Sequence, residues 1–290
     1  MLKNRLPFLL LIFALVFVSC TDSNETFNDT QLTVGTFNIA WLGDGVKDMK
    51  PRSKADYKNI AEVILETEAD ILSLQEIEND EALDLIIAHL NGFDYKIFEV
   101  SGSLNIALLY KDFIDIDDCA VYYPLMLIEG KHRPELYTEF SVNGFRCKML
   151  GVHFKSTSRY DDTEALKDKS RQDRRAQAAI ASVWADSVLK AENIPLIIAG
   201  DFNDYPGRIN DYTLSALSDN ESLTFLTEGM KSCKFEYGYS IDHIVVSPKL
   251  KTMYINTSRR CYDIYSAYSD VDADKISDHC PVTVNLDISN

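Results

Sequence analysis

The sequence predicts a mixed α/β sandwich with its helices on the outside, and three observations predict it. β-rich runs alternate with amphipathic segments along the whole of residues 31–290. No linker, low-complexity tract or internal repeat interrupts them, so one domain accounts for this stretch. The composition is that of an ordinary globular chain, 46% hydrophobic and 26% charged over 290 residues, with apolar material for one large core. It excludes a disordered chain, a coiled coil, a collagen and a small disulfide scaffold.

Residues 32–39 (LTVGTFNI) are β-rich and alternate, which makes them a strand. Residues 54–68 carry Ile60, Val63, Ile64 and Leu65 near helical spacing. Residues 70–75 (DILSLQ) read as a short buried strand and 81–90 as a second helix. Further strands are expected at 106–110, 136–140 and 148–153. The longest periodic segment, 164–190, is a helix whose apolar stripe is Ala176, Ala179, Ile180, Val183 and Trp184. Strands at 195–199, 241–246 and 281–286 complete the pattern.

Ahead of the domain, Lys3 and Arg5 precede an apolar run from Leu6 to Val18, with Ser19 and Cys20 directly after it. A charged leader and an apolar run of this length form a secretory signal, and the run falls short of the ~20 residues that cross a bilayer comfortably. Phe17-Val18-Ser19-Cys20 resembles a bacterial lipoprotein box, although that box usually has Leu and a small residue at the positions of Phe17 and Val18. Residues 1–19 are therefore expected to be a signal peptide. Residues 20–30 are expected to be a lipidated Cys20 and a polar tether (TDSNETFNDT). Plain secretion and a retained anchor are the alternatives. The expected location is exported and membrane-anchored through Cys20, at the outer membrane or cell surface. Five other cysteines remain, Cys119, Cys147, Cys233, Cys261 and Cys280, and an odd number leaves at least one free thiol unless it pairs between chains. Their spacing fixes no connectivity.

Charge bounds the function. Lys and Arg number 29 against 45 Asp and Glu, a net −16. A protein this acidic does not hold polyanions by its average field, so work on nucleic acid requires a local basic patch or bound cations. A basic stretch does occur in Lys155, Arg159, Lys167, Lys169, Arg171, Arg174 and Arg175. It is either a solvated helix face or, in part, the flank of a substrate path.

Polar residues recur where strands end: Asn38, Glu76, His153, Asp201 and Asn203 in IIAGDFNDYP, Asp242 in SIDHIVV, and Asp278 and His279 in ISDHCPV. Singly, each is an ordinary turn or cap residue or a hydrogen-bonded structural histidine. Together they supply hard oxygen donors (Asn38, Glu76, Asp278) that suit Mg²⁺, Mn²⁺ or Ca²⁺ rather than zinc. Two imidazoles and two further acids add the groups for general acid–base chemistry near neutral pH. His243, beside Asp242, is expected to point the other way on an alternating strand. Asp204 reads as a loop acid, Cys280 as a buried small hydrophobe, Trp41 as core or loop packing, and the Tyr-rich segment 254–268 as strand packing.

TFNIAW, LSLQEIE, NIALLY, GVHFKS, GDFND, IDHIVV and ISDHCPV, in that order over residues 32–288, resemble the endonuclease/exonuclease/phosphatase superfamily. GDFND and SDHCPV are the most specific pieces. His132-Arg133-Pro134-Glu135-Leu136 and Arg174-Arg175-Ala176-Gln177-Ala178 look like its secreted bacterial nucleases. The resemblance implies a four-layer α/β sandwich, two packed mixed sheets flanked by helices, with the site along one edge. It implies a divalent cation, Mg²⁺ first and Mn²⁺ or Ca²⁺ as alternatives, at Asn38, Glu76 and Asp278. Asp201 and Asn203 match the pair beside the scissile phosphate, and His153 matches a phosphate-contacting or acid histidine. Asp242 and His279 match a carboxylate–histidine pair, and Arg133 matches an arginine on substrate phosphate. Two departures stand out. The stretch Ser103-Leu104-Asn105-Ile106 lacks the glutamate that backs the first histidine in pancreatic-type deoxyribonucleases, and Ala40 replaces an aspartate of the abasic-site nucleases. The implied activity is phosphodiester hydrolysis of DNA or RNA by an activated water, in a monomer. The alternatives are a phosphatase or phosphodiesterase of a small or lipid-linked phosphoester, and a non-catalytic surface binding module, which would lack a site residue.

Overall fold

The computed structural model describes residues 30–289 except 101–103, 131, 236 and 237, so the signal peptide, Cys20 and nearly all of the tether lie outside the described residues. Strand β1 (Gln31–Leu42), helix α1 (Lys54–Glu66), β2 (Ile71–Ile77), α2 (Asp80–Ile87), β3 (Phe93–Ile97) and β4 (Asn105–Lys111) come first. Three strands follow, β5 (Asp115–Tyr122), β6 (Glu135–Val142) and β7 (Phe145–His153), and the long helix α3 (Glu164–Glu192) leads to β8 (Leu196–Asp201). The last third holds α4 (Ser215–Ser218), β9 (Thr224–Phe225), β10 (Asp242–Val246), α5 (Pro248–Met253) and β11 (Arg260–Cys261). Helices α6 (Ile264–Ala267) and α7 (Asp270–Ile276) and strand β12 (Val282–Asp287) close the chain. No helix among the described residues is long and apolar enough to cross a membrane.

The strands form two six-stranded sheets, ordered β11-β12-β1-β2-β4-β3 and β5-β6-β7-β8-β10-β9. Each has one parallel pair near its centre, β1/β2 and β7/β8, and antiparallel neighbours around it. Three apolar layers hold them. Leu32, Val34 and Ile71 of the first sheet meet Leu136, Met149 and Ile197 of the second between the sheets. Phe37, Leu72 and Leu74 face α1 and α2 outside the first sheet. Leu150, Val152 and Ile198 face Trp184 and Val188 of α3 outside the second. This is the four-layer sandwich the sequence implied. At ~1.5–3 kcal/mol for each fully buried large side chain, these layers are the main favourable contribution to folding.

Local chemistry sets the helix ends. Ser53 and Asp56 form a reciprocal capping box on α1, Thr163 caps α3, and Asn193 ends α3 in the left-handed region at φ 54°. The face α3 buries is shifted from the expected one. Trp184 is buried as expected and Ile180 packs beside it, but Val183 is 65% exposed, and Ala178, Ala181, Ala185 and Val188 complete the inward face. Polar contacts fix that rotation: Gln177 accepts the Lys155 N–H and donates to Leu125 O, and Arg174 donates to Asn203 O. Strands β3 and β5 were not legible in the sequence because both are sheet edges, with β5 (DIDDCAVY) carrying acids and no buried residue.

Cys280 is buried as expected but is not a thiol; it forms a disulfide with Cys233. Cys119, Cys147 and Cys261 are free. In the Tyr-rich segment, Tyr254 bridges to Leu286, and Tyr262, Tyr265 and Tyr268 pack on the outer layer of the first sheet.

Candidate active site

Strand alternation delivers the site. On β1 the inward positions run Leu32, Val34, Thr36, Asn38, turning from apolar to polar toward one end of the sandwich. The inward positions of β7 end at His153, those of β8 at Asp201 and those of β10 begin at Asp242. All four residues are nearly fully buried and meet at the seam between the sheets. His243 points outward to Thr227, as the alternation requires. Gly151 permits the sheets to close here, since a Cβ would lie 2.7 Å from Ser73 Oγ across the gap.

The wall opposite is built from strained backbone. Ala40, Trp41, Glu76 and Asn203 have φ of 48°, 60°, 65° and 52°, values that favour glycine. The β1/β2 register breaks between Asn38 and Leu42, and the β2/β4 register between Leu74 and Ile77. Such bulges re-aim side chains. Here they bring the Glu76 carboxylate to the Trp41 N–H (3.1 Å) and to Asn38 Nδ2 (3.4 Å). Asn38 also donates to Asp201 (3.1 Å) and accepts the Ala40 N–H, so it holds two carboxylates together.

One guanidinium fastens this wall. Arg52 donates to Ile39 O, Ala40 O and Trp41 O on one side and to Lys275 O and Ile276 O on the other, at 2.7–3.1 Å. Ser277 completes the link, donating to Asn38 O at 2.6 Å and accepting the His279 N–H at 3.0 Å. The strained turn and the segment carrying Asp278 and His279 are thus one unit. No motif or periodicity in the sequence singles out Arg52, which stands in a polar loop after Pro51.

The two histidines differ in charge. Burial opposes the charge of His279, but Asp242 at 2.9 Å from Nδ1 and Asp201 outweigh it and raise its pKa to about 10. Burial, then the neighbouring Arg133 and His279 charges, drive His153 well below the usual histidine range. His153 is therefore a neutral imidazole, with Arg133 3.0 Å from Nε2. A guanidinium only donates, so Nε2 is the acceptor. The buried Glu135 accepts the His153 backbone N–H at 2.6 Å, while His153 Nδ1 has no hydrogen-bond partner among the described residues. Burial raises Asp201 to about 7, against the lowering pull of His279. A carboxyl poised there, 3.9 Å from an imidazolium, is a proton acceptor near neutral pH.

These groups open on a cleft of about 450 Å³ lined by Glu76, His153, Asp201, Asn203, Asp278 and His279. Asn203 uses one amide N–H on Phe154 O and keeps the other. Lys50 and Lys234 also line the cleft, and Arg133 lies 3.6 Å from Glu76. Neither lysine was legible as a site residue. Most of the basic stretch is neutralised: Lys155 lies 3.9 Å from Asp161, Lys167 pairs with Glu164, Lys169 with Asp173, Arg171 with Asp168 and Asp211, and Arg175 with Asp211, while Arg159 stacks on Tyr160. Arg174 is buried against Asn203 O and Asp204. Asp204 anchors the loop through Thr213 and Arg208, as a loop acid should. Of the two packing readings of Trp41, the core one fails: the residue is 42% exposed and lines the cleft.

A family model described as the Endonuclease/Exonuclease/phosphatase family matches residues 35–279. The chain belongs to this family. Solved structures repeat the fold. An endonuclease/exonuclease/phosphatase family protein of Bacteroides thetaiotaomicron matches with TM-score 0.64 at 19% identity, over 88% of this chain and 94% of its own. A mannosyl-6-phosphatase of the same organism matches with TM-score 0.60 at 20% identity, over 87% and 98%. The human Nocturnin catalytic domain matches with TM-score 0.62 at 16% identity, over 88% and 94%. At these identities the likeness is one of fold. No curated protein matches this chain.

Membership implies phosphoester hydrolysis, and enzymes of this family are typically divalent-metal dependent. The donors present fit such an ion. The Glu76 and Asp278 carboxylates line one cleft, and Mg²⁺ is commonly held by one or two carboxylates with water and phosphate oxygens. Asn38 accepts the Ala40 N–H with one lone pair of its amide oxygen, which leaves the second for an ion, while its Nδ2 donates to Glu76. Asp201, Asp242 and His279 also lie within 4.8 Å of one another, but the Asp242–His279 hydrogen bond accounts for that closeness.

Proposed function

We propose that this chain is an exported, Mg²⁺-dependent phosphoesterase whose substrate is a compact phosphoester. The observation that carries this reading is the distribution of cations. Lys50, Lys234 and Arg133 converge on one cleft, Lys234 beside Asp274 and Arg133 beside Glu76, whereas Lys169, Arg171 and Arg175 of α3 pair with acids outside it and form no track for a polyanion. On this reading Asp201 takes a proton from the attacking water as the bond from phosphorus to the alcohol oxygen breaks, and the departing oxygen leaves as the alcohol after taking up a proton. His279, kept protonated by Asp242 and Asp201, donates to a phosphoryl oxygen as negative charge builds there. Asn203 donates its remaining N–H, and neutral His153 steadies Arg133 beside Glu76. A cation held by Glu76 and Asp278 would offset charge on the non-bridging oxygens. A non-catalytic module would lack a site residue, and every expected one is present around the cleft or bonded to it.

A nuclease acting on DNA or RNA is the second reading, favoured by the cleft lying open along the sandwich edge and by the HRPEL and RRAQA motifs. Protein beginning after Cys20 is to be incubated with supercoiled plasmid and, separately, with sugar and inositol phosphates, in Mg²⁺, Mn²⁺, Ca²⁺ or EDTA. Phosphate release with intact plasmid, absent in His279→Ala, is the expected result. Metal-dependent nicking absent in that variant would move the protein to the nuclease reading. Export and lipidation rest on residues 1–20. Palmitate labelling of the full chain should disappear in Cys20→Ala, and unchanged membrane partitioning of that variant would refute the anchor.

A further inference from the structure

Trp41 has a place that packing does not explain. The residue is 42% exposed and lines both the catalytic cleft and a second groove with Lys47, Met49 and Leu104. The second tryptophan, Trp184, shows the ordinary alternative, since it is buried against α3's own layer. Holding an indole at the cleft is unfavourable by itself. Ala40 and Trp41 are both left-handed, a conformation that costs roughly 1–2 kcal/mol for each residue with a Cβ. The structure nevertheless fixes it firmly, with Arg52 on the carbonyls of Ile39, Ala40 and Trp41, and with the Trp41 N–H on the Glu76 carboxylate. A tryptophan left half-exposed on a strained and fastened backbone, in the lining of the cleft that holds Glu76, Asp201 and His279, is placed to meet a ligand.

We propose that Trp41 is the platform for a ring in the substrate's alcohol portion, the group esterified to the phosphate that faces Asp201, His279 and Glu76. The proposal rests on the phosphoesterase reading. An indole face packs against a flat π system or the apolar face of a cyclic sugar and offers little to a flexible polyol chain. The ligand class is therefore a ring-bearing phosphoester, with nucleotide and cyclic sugar phosphate as its two sources.

Because the chain has two tryptophans, Trp184→Phe leaves Trp41 as the sole indole emitter. Titrating that variant with AMP, glucose 6-phosphate and glycerol 3-phosphate reads the platform directly. The expected result is a saturable emission change with a ring-bearing ligand and none with glycerol 3-phosphate; which ring responds identifies the source. In kinetics, Trp41→Ala should lower the preference for ring over chain in kcat/KM by roughly tenfold, and Trp41→Phe should keep it. Turnover of a ring-bearing ester with unchanged Trp41 emission, or a preference unaltered in Trp41→Ala, would overturn the platform and leave the hydrolase reading intact. A saturable emission change without His279-dependent turnover would do the reverse.

Discussion

Asp201 is where burial becomes reactivity. Its carboxyl is nearly fully buried at the end of β8, which raises it, and the imidazolium of His279 keeps it from rising further, to about 7. A base works only when deprotonated, so kcat/KM should rise with pH through about 7. Asp201→Asn removes the acceptor while keeping the size. That variant should lose on the order of 10²–10⁴ in kcat and flatten the limb near neutrality, measured as a pH–rate profile at saturating metal. A retained limb would assign it to another group. Arg52 acts at the same scale without touching the reacting atoms. Its five backbone bonds hold the strained Ala40–Trp41 turn to the segment before Asp278. Lysine cannot reproduce a planar fork of donors. Arg52→Lys should therefore destabilise the fold by about 2–3 kcal/mol in urea melts and weaken Mn²⁺ binding measured calorimetrically. Unchanged Mn²⁺ affinity in a folded variant would reduce Arg52 to a stability residue.

At the scale of elements, Asn193 ends α3 at φ 54°, where a short polar side chain is tolerated and a branched one is not. Asn193→Gly should match or raise the wild-type Tm, and Asn193→Val should lower stability by about 1–2 kcal/mol. On β6, burial works against ionised Glu139, but Arg146 and Lys148 outweigh it and hold its pKa below the ordinary 4.5. A lowered carboxylate pKa stabilises the fold above the unfolded value and ceases to do so as pH falls through the folded one. Glu139→Gln should thus be less stable than wild type by about 1–2 kcal/mol at pH 7 and converge with it in acid, as read from urea melts at both. Elements were legible in proportion to burial. Strands such as β2 and β8, buried on both faces, stand out as apolar runs, and α1 shows its period. Edge strands β3 and β5 carry neither signal. The inward face of α3 is only partly legible, through Trp184, because Arg174 and Gln177 are buried for their hydrogen bonds, which no hydropathy pattern records. The site was legible where motifs end strands, as at Asp201 and His279. Trp41 lies at the irregular end of β1 and Lys50 and Arg52 in the loop from β1 to α1, where the path of the chain depends on tertiary contacts.

At the scale of the whole molecule, the site exists only where two sheets meet. Asn38 and Glu76 come from the first sheet, and His279 stands just before its strand β12, while His153, Asp201 and Asp242 belong to the second. The Asp242–His279 pair is therefore an inter-sheet contact, and its alignment depends on how the sheets are held. The disulfide bears on this directly. Cys280 follows His279, and Cys233 lies in the connection from β9 to β10, so the bond ties the His279 segment to the second sheet beside Asp242. Closing a loop of sequence separation 47 restricts the unfolded chain by about 4 kcal/mol in the chain-entropy treatment. The double variant Cys233→Ser/Cys280→Ser should lose up to that amount in denaturant melts, and a phosphine reductant should lower the wild-type Tm toward the variant's. Below its melting point the variant should also have a reduced kcat, because the same bond sets the inter-sheet pair. A stability loss with kcat preserved would show that packing between the sheets alone aligns Asp242 with His279.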